Sequence, residues 1–128
     1  MNAVQTILAV GAGGAIGAVA RYGTVRAMMA LLGPSFPYGT LAVNIVGSLA
    51  MGVAVAWAAR MPGDATFLRT FFMIGVLGAF TTFSAFSLDV HTLFRERSLS
   101  IAGIYMMTSV FLSVGALIAG LAIGKRFL

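Results

Sequence analysis

The 128-residue sequence contains no cysteine. Disulfides, thiolate nucleophiles and cysteine-held metals are thereby excluded. Charge is also scarce: eight Lys and Arg, three Asp and Glu, and one His. Charged residues make up 9% of the chain and hydrophobic ones 60%. A soluble domain of this size needs a polar shell, and so few charged side chains cannot form one. Lipid must be the outer solvent, and a single transmembrane domain over residues 1–128 is expected. The formal charge of +5 does not indicate nucleic acid. The basic residues stand singly or in pairs between apolar runs and build no basic face or tail. At the ends of such runs they meet lipid headgroups. No positive side chain precedes Arg21, so the first apolar segment reads as a retained span and not a cleaved signal. No hydrolase, kinase or dehydrogenase constellation is present, and the chain is read as no enzyme. Asp89 and the lone His91 lie on different helix faces and make no metal site. The glycines from Gly11 to Gly17 follow no strand, which argues against a nucleotide fold.

What the chain has is four long charge-poor intervals, separated at Arg21–Arg26, Arg60–Arg69, Asp89–Arg97 and Lys125. Each holds about 20 residues of helix, enough to cross a hydrocarbon core of roughly 30 Å. The expected spans are 4–30, 40–60, 67–94 and 100–124. Gly33–Pro37, Arg60–Asp64 and Arg95–Ser98 break the helices between them. With four spans, one side carries Arg60, Arg69, Lys125 and Arg126. The other carries Arg26, Arg95 and Arg97, with Arg21 if it lies outside the core. Lys/Arg bias sets orientation, and here there is almost none. Such balance fits insertion both ways and an antiparallel homodimer, or is the noise of small counts. Four helices have little room for an aqueous pathway, and a second copy is the economical source of more. Gly13-x-x-x-Gly17 and Ser48-x-x-x-Gly52 fit close helix contacts, within a subunit or between subunits.

Polar residues interrupt the apolar spans at a few places. The third carries Gly75-x-x-Gly78-Ala-Phe-Thr81-Thr82-Phe83-Ser84-Ala-Phe86-Ser87. Threonine and glycine weaken helix, and a break there would free backbone carbonyls that lipid cannot satisfy. Broken helices at mid-membrane are where transport proteins bind ions. The other reading is an ordinary helix whose hydroxyls bond back to its own carbonyls. Phe83 and Phe86 share a face. Their positive ring edges suit an anion path, although packing or lipid contact also explains them. In the second span, Asn44 with Thr40 one turn earlier is a buried amide that must be bonded. It either clamps another helix or donates to a passing ion. Tyr105, Ser109 and Ser113, widened by Thr108, form a hydroxyl stripe on the fourth span. That stripe is either donors for a dehydrating anion or helix-to-helix glue. Arg21 lies well along the first span. It either snorkels or concentrates anions.

Together these residues resemble the CrcB/Fluc family of fluoride channels, over nearly the whole chain. The resemblance rests on three motifs. They are Gly14-x-x-Gly17-Ala18-x-x-Arg21-Tyr22, Gly39-Thr40-Leu41-x-Val43-Asn44-x-x-Gly47, and Gly75-x-x-Gly78-x-x-Thr81-Thr82-Phe83-Ser84-x-Phe86-Ser87. It implies an all-α membrane protein, with four helices per subunit and the third broken. It also implies an antiparallel dual-topology homodimer with two fluoride pores, in the plasma (inner) membrane. By resemblance, Phe83, Phe86 and Asn44 are pore residues, with Thr40 and Ser84 beside them. Tyr105, Ser109 and Ser113 match the polar track of the fourth helix. Gly78 and Thr81 match positions whose carbonyls, from both subunits, hold a central structural sodium ion. Arg21 matches the arginine of the aqueous vestibule. Asp89 falls where many members carry glutamate. Ala79 replaces a frequent second glycine, and Ala85 a frequent threonine.

The reading is therefore passive fluoride efflux that limits cytoplasmic toxicity. One alternative is a small dual-topology proton-coupled multidrug transporter, which needs a carboxylate in its early spans, where this chain has none. The other is a non-transporting assembly subunit, which leaves the three polar motifs unexplained.

Overall fold

A computed structural model describes residues 1–127. Leu128, the last residue of the expected domain, lies outside the described residues. Four helical stretches are long and apolar enough to span a membrane: Ala3–Leu32, Tyr38–Ala58, Leu68–Glu96 and Leu99–Phe127. They overlap all four expected spans. The first helix, α1 (Ala3–Leu32), opens on a reciprocal cap. Asn2 Oδ1 accepts the Gln5 N–H at 2.9 Å, and Gln5 Oε1 accepts the Asn2 N–H at 3.0 Å. Two donors that the first turn would otherwise leave orphaned are thus satisfied. The helix ends at Gly33, whose φ of 81° suits a residue without Cβ. Directly after Pro37 comes α2 (Tyr38–Ala58), slightly earlier than expected.

The third span has three parts. Its first half, α3, is wound wide as a π-helix over Leu68–Leu77 and continues through Gly78–Phe80. Thr81 (φ −81°, ψ 159°) and Thr82 (φ −154°, ψ 124°) then run extended. Helix resumes as α4 (Phe83–Glu96), followed by α5 (Leu99–Phe127). The wide winding is not legible in the sequence. It lies along the contact with α1, where a Cβ at Gly13 would fall on the Phe71 carbonyl and one at Gly17 on the Val76 carbonyl.

Packing separates the halves of the third span. α3 lies mainly on α1, α4 lies mainly on α5, and α2 touches every other helix. Missing side chains allow the tightest contacts. A Cβ at Gly52 would strike the Leu117 carbonyl, and one at Gly120 the Leu49 carbonyl. Gly13-x-x-x-Gly17 and Gly52 of Ser48-x-x-x-Gly52 thus serve packing within the subunit. The outer surface is apolar: Ile7 is 70% exposed, Val19 71% and Phe111 66%. Among the described residues, only Tyr105 and Val43 are large side chains sealed almost completely. With lipid as the solvent for such a surface, the chain is a multi-pass membrane protein.

Outside the membrane, the loop before α3 is closed by Asp64. Its carboxylate accepts the Thr66 N–H at 2.8 Å and also the Thr66 hydroxyl. These two bonds hold its pKa below the ordinary aspartate range. At the same end, the Arg60 guanidinium donates to the Lys125 carbonyl near the end of α5. Positive charge at a helix C-terminus is favourable.

Candidate functional site

The extended pair Thr81–Thr82 is held from α2. Asn44 Oδ1 accepts the Thr82 N–H at 2.8 Å, and Asn44 Nδ2 donates to the Thr82 carbonyl at 3.0 Å. One side-chain amide thus does for Thr82 what a neighbouring strand would do. Gly47, one turn along α2, leaves room for the crossing: a Cβ there would strike Thr81 Cγ2 and the Phe80 ring. Thr82 then caps the next helix, its Oγ1 accepting the Ala85 N–H at 3.2 Å. Ser84 Oγ lies 3.3 Å from the same hydroxyl.

These bonds redirect donors. In continuous helix the Thr82 N–H would serve the Gly78 carbonyl, and the Ala85 N–H the Thr81 carbonyl. The first goes instead to Asn44 and the second to the Thr82 hydroxyl. The carbonyls of Gly78 and Thr81 both lose their helical donors. By contrast, the N–H and Oγ1 of Thr81 both donate to the Leu77 carbonyl, at 3.1 and 3.0 Å.

A groove of about 280 Å³ opens beside the crossing. Asn44, Ser48, Thr81, Thr82, Phe83, Phe86, Ser109 and Ser113 line it, together with Val110 and Val114. Phe83 stands 77% exposed at this groove, its ring 5.3 Å from that of Phe86. Ser109 is only 4% exposed. The hydroxyl oxygens of Ser109 and Ser113 are shut from solvent without a hydrogen-bond partner among the described residues. Buried hydroxyls are nearly always paired, so two unpaired ones on one wall call for a ligand or a partner.

Tyr105 stands behind this wall. It is fully buried, with its ring 5.5 Å from Phe86 and 5.5 Å from Phe36, edge-on to the latter. Its hydroxyl donates to Asp89 Oδ2 at 3.0 Å. The hydroxyl stripe is thus not uniform: its first member donates to a carboxylate, and its next two meet no such acceptor among the described residues. On the far side of the crossing, Arg21, Thr40, Thr82, Ser84 and Asp89 line a cavity of about 570 Å³. A third space of about 250 Å³ lies under the Gly33–Pro37 loop, lined by Thr40, Asp89, Glu96 and Arg97 among others. Thr82 borders groove and Arg21 cavity, and Asp89 borders the two cavities.

The structure therefore gathers Asn44, Phe83, Phe86, Ser109, Ser113 and Thr81 at one groove, and Arg21, Thr40 and Ser84 at the adjoining cavity. Tyr105 joins them through Phe86. Sequence reasoning missed Thr82 as the linchpin and gave Asp89 no partner. For Asp89 a signal existed: a carboxylate within an apolar span needs a partner. For Thr82 the signal was its place three residues before a helical Ala85, the spacing of an N-cap.

Residues 8–121 match the family described as CrcB-like protein, Camphor Resistance (CrcB). A protein of Agrobacterium fabrum named fluoride-specific ion channel FluC is 48% identical over 120 residues, covering 94% of this chain and 96% of the relative. Proteins of the same name from Rhodospirillum centenum and Paracoccus denitrificans are 49% and 48% identical. Each match covers 94% of this chain and 95% of the relative. With agreement along most of its length, the chain belongs to the CrcB family.

Proposed function

We propose that the chain is a fluoride-selective channel, not an enzyme, through which fluoride leaves the cell passively down its gradient. Its relatives are named fluoride-specific ion channels. The observation that carries the reading is that Ser109 and Ser113, whose hydroxyls have no partner among the described residues, line the groove that Asn44, Phe83 and Phe86 share. Fluoride is small, strongly hydrated and a strong acceptor, so selecting it needs a narrow path with dense donors. The two serines supply O–H groups where water has been excluded. Between them the edges of Phe83 and Phe86 present partial positive charge without the trapping depth of a full one. Arg21 raises the anion concentration in the adjoining cavity. Thr40 and Ser84 line that cavity. Tyr105 donates to Asp89 and backs the groove through its contact with Phe86.

The exposed Phe83 and the half-open groove fit closure by a second copy in an antiparallel dual-topology homodimer in the plasma membrane. In that assembly the break at Thr81–Thr82 lies at mid-membrane. The carbonyls of Gly78 and Thr81, relieved of their helical donors, suit a sodium ion, which takes oxygen ligands. Among the described residues no three His, Cys, Asp or Glu side chains come together that would hold a metal, so backbone oxygens are the available donors. Such an ion would balance the freed carbonyls and place a fixed positive charge beside the path.

The proton-coupled multidrug reading has no carboxylate in the first two spans to work with, and Asp89 in the third is bonded to Tyr105. Planar-bilayer recording tests the channel directly: discrete openings in fluoride that vanish when chloride replaces it support the proposal. Equal conductance for both ions refutes the selectivity.

A further inference from the structure

Apart from Phe83 and Phe86, two functions meet at one side chain. Asn44 borders the groove, yet its Oδ1 and one Nδ2 proton are already committed to the Thr82 peptide. A primary amide has two N–H donors and one acceptor oxygen, so a second Nδ2 proton is left over. The bond that Oδ1 makes is also the one that takes the Thr82 N–H away from the Gly78 carbonyl.

We propose that Asn44 is a positioning residue that couples the two sites. It keeps the Thr82 peptide extended, so that the Gly78 carbonyl is available to a cation, while its spare N–H faces the groove. This rests on the channel and sodium reading above and adds a division of labour within one amide. Losing Oδ1 lets the Thr82 N–H return to Gly78, and α3 and α4 then approach continuous helix. The cation loses a ligand and the rings of Phe83 and Phe86 lose their register. Losing only the N–H groups gives up the bond to the Thr82 carbonyl but leaves the Gly78 carbonyl free, so conduction falls while the cation keeps its ligand. Asn44→Ala and Asn44→Asp separate the two effects, because one carboxylate oxygen still accepts the Thr82 N–H and so keeps it from Gly78, while the bond to the Thr82 carbonyl and the spare N–H are both lost.

The experiment measures the melting temperature of the purified, detergent-solubilised protein, followed by Trp57 fluorescence. Sodium chloride is titrated against choline chloride at constant ionic strength, and fluoride flux is read on the same samples in liposomes. Wild type should gain stability with sodium. In Asn44→Ala the sodium concentration giving half of that gain should rise by about tenfold or more, the scale of one lost hydrogen bond to a committed group. In Asn44→Asp it should stay within about threefold while flux is lost, because a carboxylate in the path repels fluoride at close range. A Ser109→Ala control should lower flux with the wild-type sodium response. A wild-type response in Asn44→Ala overturns the coupling and leaves Asn44 a pore donor only. If Asn44→Ala does not fold, Asn44→Asp decides: a sodium response lost together with flux overturns the division of labour. A wild type indifferent to sodium overturns the sodium reading itself, and the coupling with it.

Discussion

Replacing Ser109 and Ser113 by alanine should slow fluoride flux without destabilising the protein. The direction of the stability effect is the unusual part. Removing a paired buried hydroxyl normally lowers stability, because its partner is stranded. Here neither oxygen has a partner among the described residues, and both are shut from solvent. A buried group left unsatisfied costs about 1–3 kcal/mol, so alanine removes a penalty and each variant should melt at or above the wild-type temperature. In transit the same hydroxyls donate to an anion stripped of water, and bonds to charged groups contribute about 1.5–3 kcal/mol. At about 1.4 kcal/mol per tenfold in rate, each alanine should slow efflux by roughly ten- to hundredfold. The two positions are one helical turn apart, so the double variant should fall short of the product of the singles. Electrode-monitored efflux and thermal melts on the same preparations read both quantities. Variants that melt several degrees lower and conduct normally would refute the reasoning and make the hydroxyls helix-to-helix glue.

Three further outcomes follow from the geometry. Phe83→Ile removes a ring edge worth about 0.5–1.5 kcal/mol; efflux should drop by up to about tenfold, and an unchanged rate would remove Phe83 from the path. Gly120→Val drives a side chain into the Leu49 carbonyl. Overpacking of that kind costs about 1–3 kcal/mol, visible as a lower melting temperature or an aggregated size-exclusion profile. Asp64 should titrate below the ordinary aspartate value of about 3.9, as followed by carboxyl NMR. Because its pKa is depressed by Thr66, its support of the loop is present at neutral pH and is lost as pH falls through that depressed value.

The span pattern was open to reading because lipid imposes it: uninterrupted apolar stretches can be nothing else in so uncharged a chain. Those charge-poor intervals located all four helical stretches. The polar motifs were equally visible, since each contradicts its surroundings. What the sequence left open was which of two roles each polar residue takes, and pairing across space decides that. Asn44 stands between clamp and donor on sequence alone; its bonds to Thr82, 38 residues away, establish the clamp and leave one N–H uncommitted. Tyr105, Ser109 and Ser113 look alike as a stripe, yet only Tyr105 meets a carboxylate, 16 residues away on α4. The π-winding of α3 had no sequence mark, because it belongs to the fit of two backbones at Gly13, Gly17 and Gly75. Ala79 and Ala85, where the resemblance implies glycine and threonine, are both accommodated. The N–H of Ala85 is capped by Thr82, and the Ala79 methyl lies near Gly17.

The central claim is selective fluoride conduction, and efflux from liposomes loaded with potassium fluoride or potassium chloride tests it most directly. Valinomycin carries the compensating potassium, and fluoride and chloride electrodes read parallel samples of the purified protein. Rapid, complete fluoride release with chloride retained is the predicted result. Fluoride retained by a folded, reconstituted protein, or chloride released at the same rate, would contradict it.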